Sequence, residues 1–290
     1  MQPNPIRPRR SLLFVPGANA RAIEKARELP ADGLIFDLED AIAPDSKVGA
    51  REAVAAAVGQ GGYGRRELVL RVNGLDTEWG AEDLRAAAAM PLDAVLLPKV
   101  ETAERVRGTV SALDVAGAPA NLAIWCMIET PHGVLAAAEI AAAHPRVAAL
   151  VMGTSDLTKD LQVRHMPDRL PLLMSLQLVL LAARAHGLTA LDGVHLDLAD
   201  DEGFAATCAQ GRTLGFDGKT LIHPKQIAAA NTAFAPSADE IAQAKKIIAA
   251  YEAALAAGKG IGVADGRLVE NLHFEAAQRT LALAQAIAGK

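Results

Sequence analysis

The chain has 290 residues, a formal net charge of −5 and an aromatic content of 3%. This length allows two small domains or one α/β barrel, which runs to about 250 residues as a single unit. The net negative charge does not indicate the basic surface that binds nucleic acid. The most apolar helical run, over residues 170–183, is too short to cross a bilayer. With no signal-type segment and two cysteines that lack a paired spacing, we expect a cytoplasmic protein with no nucleic-acid or membrane partner.

Eight apolar segments alternate with helical patterns along the first 225 residues. The predicted strands cover residues 11–16, 33–40, 67–74, 94–100, 122–128, 147–152, 189–195 and 218–224. The predicted helices cover residues 21–29, 45–58, 82–89, 103–113, 133–143, 172–186 and 202–214. This alternation predicts a (β/α)8 TIM barrel over residues 1–225 rather than a doubly wound sheet, because open sheets usually have fewer strands.

Residues 226–290 exceed what a barrel needs. Their pattern predicts helices over 237–257 and 272–287 with a loop over 258–266. A lone helix gains stability mainly by burying an apolar face. We therefore expect a C-terminal helical extension that packs on its own barrel or on a neighbouring subunit.

Two successive predicted strands end in acids. The apolar stretch 122–128 ends in Glu129, after which Thr130 and Pro131 begin a helix. Glu129 alone could be a site residue or a charge that stabilises the helix N-terminus. The next apolar strand leads through Gly153 to Asp156, and paired strand-end acids favour a site for Mg²⁺, with Mn²⁺ as a possible substitute.

Further polar residues follow the predicted strands at the same end. The guanidinium of Arg71 is expected to bind the carboxylate of a 2-oxo acid such as glyoxylate, beside a cation that polarises its carbonyl. Asp40 and Lys99 either form an ion pair across strands or act directly in catalysis. His195 is expected to be a hydrogen-bonded rim residue. The remaining polar strand-end residues are Asp37, Glu39 and His223.

Seven motifs in order resemble the citrate lyase β-subunit and malyl-CoA lyase family over essentially the whole chain. They are residues 10–17 (RSLLFVPG), 36–40 (FDLED), 70–73 (LRVN), 97–100 (LPKV), 127–130 (MIET), 153–156 (GTSD) and 215–224 (GFDGKTLIHP). The resemblance implies a Mg²⁺-dependent TIM barrel that cleaves or forms a 3-hydroxyacyl-CoA thioester by a Claisen-type reaction with a 2-oxo acid.

The resemblance also implies roles for particular residues. Glu129 and Asp156 match the metal ligands, and Arg71 matches the carboxylate-binding arginine. Phe14 and Lys25 match residues that line the CoA-ester site, and we place His223 and Pro224 with the substrate or CoA contacts. We expect four further residues to contact and orient these groups without touching the substrate themselves: Asp37, Glu39, Asp40 and Lys99.

Two positions depart from the family pattern. Malyl-CoA lyases have an arginine where this chain has Asn19, and Arg21 lies near enough to substitute for it. Members with a long C-terminal segment have a Met-Ile-Asp sequence where this chain has Leu268-Val-Glu270. The resemblance thus implies that Glu270 acts as acid or base in a neighbour's site, within a homotrimer or a multiple of one. The alternative is a solvated loop acid.

Several functions remain open at the level of sequence. The first is a lyase acting on malyl-, methylmalyl- or citramalyl-CoA, and the second is the β-subunit of a citrate lyase complex. A Schiff-base aldolase that uses Lys99 or Lys219 is a mechanistically different alternative, which the paired acids beside an arginine disfavour. The last is a non-catalytic binding protein.

Overall fold

The barrel predicted from the sequence is confirmed. In the computed structural model of the protein, which describes residues 6–289, eight parallel strands close in chain order, with the first also pairing with the eighth. The strands, β1 to β8, are Ser11–Pro16, Gly33–Asp37, Glu67–Arg71, Ala94–Leu97, Ala123–Ile128, Val147–Met152, Thr189–Asp192 and Gly218–Leu221. Their carboxyl ends all lie at one face, which is where barrels of this type build their sites.

Apolar side chains from alternate strand positions fill the barrel interior. Trp125, which is fully buried, is the largest of them, and Ile35, Val69, Met127 and Val151 belong to the same cluster. Residues between these positions pack outward against the helices, so most strand residues are buried on both faces. This explains why the strands read as continuous apolar runs without alternation.

Among residues 6–289, ten helices follow the strands of the barrel. They are α1 to α10, at Ala20–Ala26, Lys47–Gln60, Gly80–Ala89, Ala103–Val115, Pro131–Leu135, Ala137–Ala141, Thr154–Asp160, Leu173–Ala185, Asp201–Leu214 and Ile227–Phe234. The single helix predicted over 133–143 is two short helices, and α7 and α10 were not predicted. Three 3-10 turns, Pro44–Ser46, Leu170–Leu172 and Pro224–Gln226, complete the set. Within residues 6–289 no helix is long and apolar enough to span a membrane.

Residues from 234 onward belong to a second compact unit, whereas residues 9–233 form the first. The second unit contains α11 (Ala238–Ala256) and α12 (Asn271–Ala288). The loop predicted over 258–266 is wrong in part, because Gly262–Ala264 (β9) pairs antiparallel with Arg267–Val269 (β10). Asp265 and Gly266 turn this hairpin with positive φ angles of 49° and 74°.

The barrel has little room at its amino end, where the main chain of Arg9 crosses Gly218. A Cβ at Gly218 would lie 1.8 Å from the Arg9 carbonyl oxygen, whereas a Cβ at Gly108, inside α4, would meet nothing within 4 Å. We expect Gly218→Ala to lower the free energy of unfolding by about 1–3 kcal/mol through overpacking. Gly108→Ala should raise it by roughly 0.5–1 kcal/mol. Urea denaturation of both variants measures the difference, and equal stabilities would contradict the packing described.

Candidate active site

A cavity of about 390 Å³ opens at the carboxyl ends of the strands. It is lined by Phe14, Pro16, Asp37, Asp40, Ala41, Arg71, Met127, Glu129, Met152, Gly153, Thr154, Ser155, Asp156, Val194, Leu196, Thr220 and Ile222. Six of the residues predicted from the sequence are among them. The barrel therefore brings together side chains that are far apart in the chain.

Glu129 lies immediately after β5 and is almost completely buried, at 2% exposed. Thr130, not Glu129, caps the following helix, since its hydroxyl accepts a hydrogen bond from the Gly133 N–H at 3.1 Å. Glu129 Oε1 instead accepts the backbone N–H of Lys99 at 2.8 Å. The structure thus favours the first of the two interpretations of Glu129, a site residue rather than a helix-stabilising charge.

Gly153 makes room for the Glu129 side chain. A Cβ at Gly153 would lie 2.3 Å from the Glu129 Cβ and 2.5 Å from Oε2. The Gly153 N–H donates to the Ile128 carbonyl at 3.0 Å, which fixes this close approach. Only glycine fits at this position without displacing the carboxylate.

Burial controls the acidity of Glu129. Removal of the carboxyl group from water raises its pKa to about 7. The backbone hydrogen bond and the positive charge of Lys99 oppose this rise, and the charge of Glu39 adds to it. Near neutral pH the group therefore exchanges its proton readily unless a cation holds it ionised.

Asp156 lies in the first turn of α7 and lines the same cavity. Its carboxylate is partly exposed and lies 3.9 Å from the Lys159 ammonium. Among residues 6–289 no group of three or more acids, histidines or cysteines is placed to hold a metal ion. A pair of hard carboxylates at a cavity that also admits water and substrate nonetheless fits Mg²⁺, which usually takes one or two protein carboxylates.

Arg71 ends β3 and is held by acids from the second strand and the residues that follow it. Its Nε and Nη2 donate to the two carboxylate oxygens of Asp37, both at 2.7 Å. Its Nη1 lies 2.9 Å from Glu39 Oε2 and 3.4 Å from Asp40 Oδ2. The guanidinium also stacks over the Phe14 ring at 4.8 Å. Because Asp37 occupies the Nε–Nη2 fork, a substrate carboxylate would approach the guanidinium at Nη1, next to the carboxylates of Glu39 and Asp40.

Lys99 pairs mainly with Glu39 rather than with Asp40. Its ammonium donates to Glu39 Oε1 at 2.6 Å and lies 3.8 Å from Asp40 Oδ1. Burial alone would lower the pKa of Lys99, but the hydrogen bond and charge of Glu39, with Glu129 and Asp40, raise it. The Lys99 main chain has a φ of 47°, a strained angle for a non-glycine residue. Lys99 therefore links the carboxylate of Glu39 to that of Glu129 through its side chain and its backbone N–H.

Three predicted contact residues of the first compact unit do not line this cavity. Lys25 is exposed on α1, and His223 is exposed and accepts the Lys225 N–H on its Nδ1. Pro224 begins the 3-10 turn that His223 caps. Glu270 belongs to the second compact unit, where its N–H donates to His273 Nδ1 at the start of α12.

Two further findings were not anticipated from the sequence. The His195 Nε2 atom is buried and has no hydrogen-bond partner among the described residues, although it lies 4.0 Å from Asp200 Oδ2. The apolar wall of the cavity was also missed. It is built by Met127, Met152, Val194, Leu196 and Ile222, and the apolar residues next to the strand-end motifs were the signal that could have indicated it.

A closed parallel barrel with acids and an arginine at the carboxyl ends of its strands defines a TIM-barrel enzyme. Residues 10–224 match the model of the HpcH/HpaI aldolase/citrate lyase family, and the chain belongs to that family. It is accordingly an enzyme of a carbon–carbon lyase family, as the sequence motifs indicated.

Relatives with known names extend this result over nearly the whole chain. A (3S)-malyl-CoA thioesterase of Cereibacter sphaeroides is 52% identical over 281 residues, covering 97% of this chain and 96% of the relative. An L-malyl-CoA/beta-methylmalyl-CoA lyase of the same species is 37% identical over 294 residues, covering 92% of each. The crystal structure of CitE from Mycobacterium tuberculosis in complex with magnesium, acetoacetate and coenzyme A has a TM-score of 0.76 and 31% identity, covering 94% of this chain and 97% of that one.

The raised pKa of Glu129 predicts a stability that falls with pH when no metal is present. The unfolded carboxyl loses its proton near its ordinary value of 4.5 and the folded one near 7. The folded state therefore binds more protons between these values and loses about 3 kcal/mol of stability as pH rises through them.

We expect Glu129→Gln to remove this dependence. Urea unfolding in EDTA at pH 4.5 and pH 8 should show the wild type losing stability relative to the variant by about 3 kcal/mol. Glu52→Gln, at an exposed position on α2, is the matched control and should track the wild type. Parallel pH profiles for wild type and Glu129→Gln would show that the buried carboxyl is not perturbed.

Proposed function

We propose that this protein is a Mg²⁺-dependent carbon–carbon lyase that cleaves or forms a 3-hydroxyacyl-CoA ester of the malyl-CoA type, with a 2-oxo acid such as glyoxylate as partner. The observation that supports it best is the convergence of Glu129, Asp156 and Arg71 on one cavity at the strand ends. Mn²⁺ is proposed as a substitute for Mg²⁺. The magnesium, acetoacetate and coenzyme A named for the CitE structure support this choice of ligands.

Different residues of the first cavity would have different roles in this reaction. Glu129 and Asp156 would hold the cation, which acts as a Lewis acid on the substrate oxygens when bound. The Nη1 side of Arg71 would fix the 2-oxo acid carboxylate, because Asp37 already holds the rest of the guanidinium in place. Met127, Met152 and Leu196 would shield the reacting carbons from water.

Thioester hydrolysis is the second candidate activity. The relative at 52% identity is a (3S)-malyl-CoA thioesterase, and the relative at 37% identity is a lyase. Both names refer to malyl-CoA esters. One substrate site on this barrel is therefore compatible with cleavage of the carbon–carbon bond of the ester and with hydrolysis of its thioester. A citrate lyase β-subunit remains a further alternative, since the family name includes citrate lyase.

The Schiff-base alternative receives no support from either lysine. Lys99 is held protonated by Glu39, which raises its pKa, and a protonated amine is not a nucleophile. Lys219 is 1% exposed, pairs with Asp192 at 2.9 Å and does not line the first cavity. We therefore expect no borohydride-trapped adduct with a 2-oxo acid.

A panel of CoA esters tests the proposed function directly. Malyl-, methylmalyl- and citramalyl-CoA are incubated with the EDTA-treated protein, with and without Mg²⁺ or Mn²⁺. Acyl-CoA products are separated chromatographically, glyoxylate or pyruvate is trapped as a hydrazone, and free CoA thiol is titrated. We expect an acyl-CoA and a 2-oxo acid in equal amounts, dependent on the metal.

Matched variants then connect the activity to the site. Glu129→Gln and Asp156→Asn keep side-chain size and should each lose on the order of 100-fold in activity, whereas the exposed-position variant Glu52→Gln should behave as wild type. Free CoA thiol with a 3-hydroxy acid would identify hydrolysis instead of cleavage. Full activity in EDTA would contradict the assignment of Glu129 and Asp156 as metal ligands.

We further propose a homo-oligomer, a trimer or a multiple of it, in which Glu270 serves the site of a neighbouring copy. Support comes from the family resemblance and from exposed apolar side chains along α8 and the 3-10 turn before it. Leu170, Met174 and Leu181 are spaced on one side of this region and are exposed, a pattern common at surfaces that contact another chain. Lys25, His223 and Pro224 stay proposed contacts for the CoA portion of the substrate.

Mixing experiments test whether Glu270 acts in the neighbouring copy. Glu270→Gln and Glu129→Gln proteins, each inactive alone, should regain partial activity when their subunits exchange, because some sites then combine an intact Glu129 with an intact Glu270. Glu275→Gln, at an exposed position one turn further along α12, is the matched control and should stay active. No recovery despite demonstrated subunit exchange would place Glu270 in its own subunit's site, and full activity of Glu270→Gln would remove it from catalysis.

A further inference from the structure

A second cavity, of about 450 Å³, lies beside the first at the same face of the barrel. The two share Thr154, Ser155, Val194 and Leu196 as a common wall. The proposed lyase reaction uses none of the charged residues that line this second cavity. These charged residues therefore have no role in the reaction proposed above.

A buried ionic cluster forms the inner end of the second cavity. Arg169, Asp192 and Lys219 are only 8%, 0% and 1% exposed. Arg169 Nη1 donates to both oxygens of Asp192, at 2.7 and 2.8 Å, and Lys219 Nζ donates to Oδ2 at 2.9 Å. Two cations share one carboxylate, so the cluster has a net charge of +1 in a place where an unbalanced charge is costly.

Arg169 and Lys219 have N–H groups that make no hydrogen bond to the described residues. Arg169 Nε donates to Gln210 Oε1 at 2.6 Å, but Nη2 is buried and has no partner among the described residues. Lys219 uses one of its three ammonium protons, on Asp192. His195 Nε2, also buried, makes no hydrogen bond in the described part of the chain and lies 4.0 Å from Asp200 Oδ2. Buried polar atoms without a hydrogen bond are rare in folded proteins.

The geometry of Arg169 is maintained against a backbone cost. Its φ and ψ angles are 53° and 25°, in the left-handed region that non-glycine residues seldom adopt. The contacts with Asp192 and Gln210 hold the side chain in that position. The strain is therefore localised at the residue with the unused donor.

Two acids also line the second cavity, at its solvent-exposed rim. Asp197 and Asp200 are exposed, and each accepts a backbone N–H of its own loop, from Ala199 and Gly203 respectively. Burial, followed by the charge of Lys219, lowers the pKa of His195. The charges of Asp200 and Asp197 oppose this effect, each more strongly than the charge of Arg169 adds to it. His195 is thus under the opposing influence of the buried cations and the two rim acids.

Apolar side chains form much of the remaining wall, and they include Met166, Leu172, Val194 and Leu196. The basic residues Arg164 and His165 line the cavity as well. A bare inorganic anion would leave the apolar surface unmatched, whereas an aliphatic chain would cover it. A ligand that matches both the ionic cluster and the apolar side chains has an anionic group and an aliphatic chain in one molecule.

We propose that the second cavity binds a small aliphatic carboxylic acid, with its carboxylate on Arg169 Nη2, Lys219 and His195 and its chain against Met166, Leu172 and Val194. One carboxylate neutralises the net positive charge of the cluster and uses donors that no residue of the described chain satisfies. The site is distinct from the proposed metal site, although the two share a wall next to Asp156.

Ala206 allows a test that leaves the buried cluster untouched. It is exposed on α9 and lines the second cavity. Ala206→Glu places a competing carboxylate at the mouth, and Ala206→Gln adds the same bulk without charge. Glutamate and glutamine both suit a helix surface, and urea midpoints confirm that both variants fold.

Butyrate is titrated into the full chain in EDTA without any CoA ester, and binding is followed calorimetrically, with n-butanol and inorganic phosphate as parallel probes. We expect butyrate to bind, n-butanol and phosphate to bind at least tenfold more weakly, and Ala206→Glu but not Ala206→Gln to weaken butyrate about tenfold or more. Phosphate binding as tight as butyrate would overturn the carboxylic-acid assignment. Equal butyrate affinity in both variants would overturn the location, and no butyrate binding at all would overturn the site. None of these results depends on the lyase activity.

Discussion

The contact between Glu129 and Gly153 is the constraint on which the site depends. β5 and β6 bring these residues so close that a Cβ at Gly153 would overlap the carboxyl group. The acid is consequently held out of water, and its pKa rises to about 7. A buried carboxylate that is only half ionised near neutral pH binds a divalent cation in competition with a proton. Packing of two neighbouring strands thus decides both the position and the protonation of the group.

The acids around Arg71 have a complementary role. The charged lining of the first cavity consists of one guanidinium and four carboxylates, from Asp37, Asp40, Glu129 and Asp156. An arginine so strongly held by Asp37 cannot turn away from the cavity, which suits recognition of a planar carboxylate. The surplus negative charge at the same time favours a cation over a second anion. Anionic substrate and cation are therefore more favourable together than either is alone.

Strand ends could be located from the sequence, because unbroken apolar runs stop abruptly at Glu129 and shortly before Asp156. Side-chain direction could not, since it depends on the register that only barrel closure sets. Asp192 and Lys219 point away from the barrel interior, where Leu191 is buried, and meet Arg169 from a distant loop. The Asp37 fork on Arg71 escaped prediction for the same reason: it is a contact between neighbouring strands, and neither strand shows it alone.

The two cavities have opposite electrostatic character and a common wall. Acids predominate in the first, and the buried cations Arg169 and Lys219 set the character of the second. Thr154 and Ser155 line both and lead directly to Asp156. A small displacement of this segment would move a proposed metal ligand, and packed segments shift between discrete arrangements rather than deforming continuously. An occupant of the second cavity would thus act on the first through the position of Asp156.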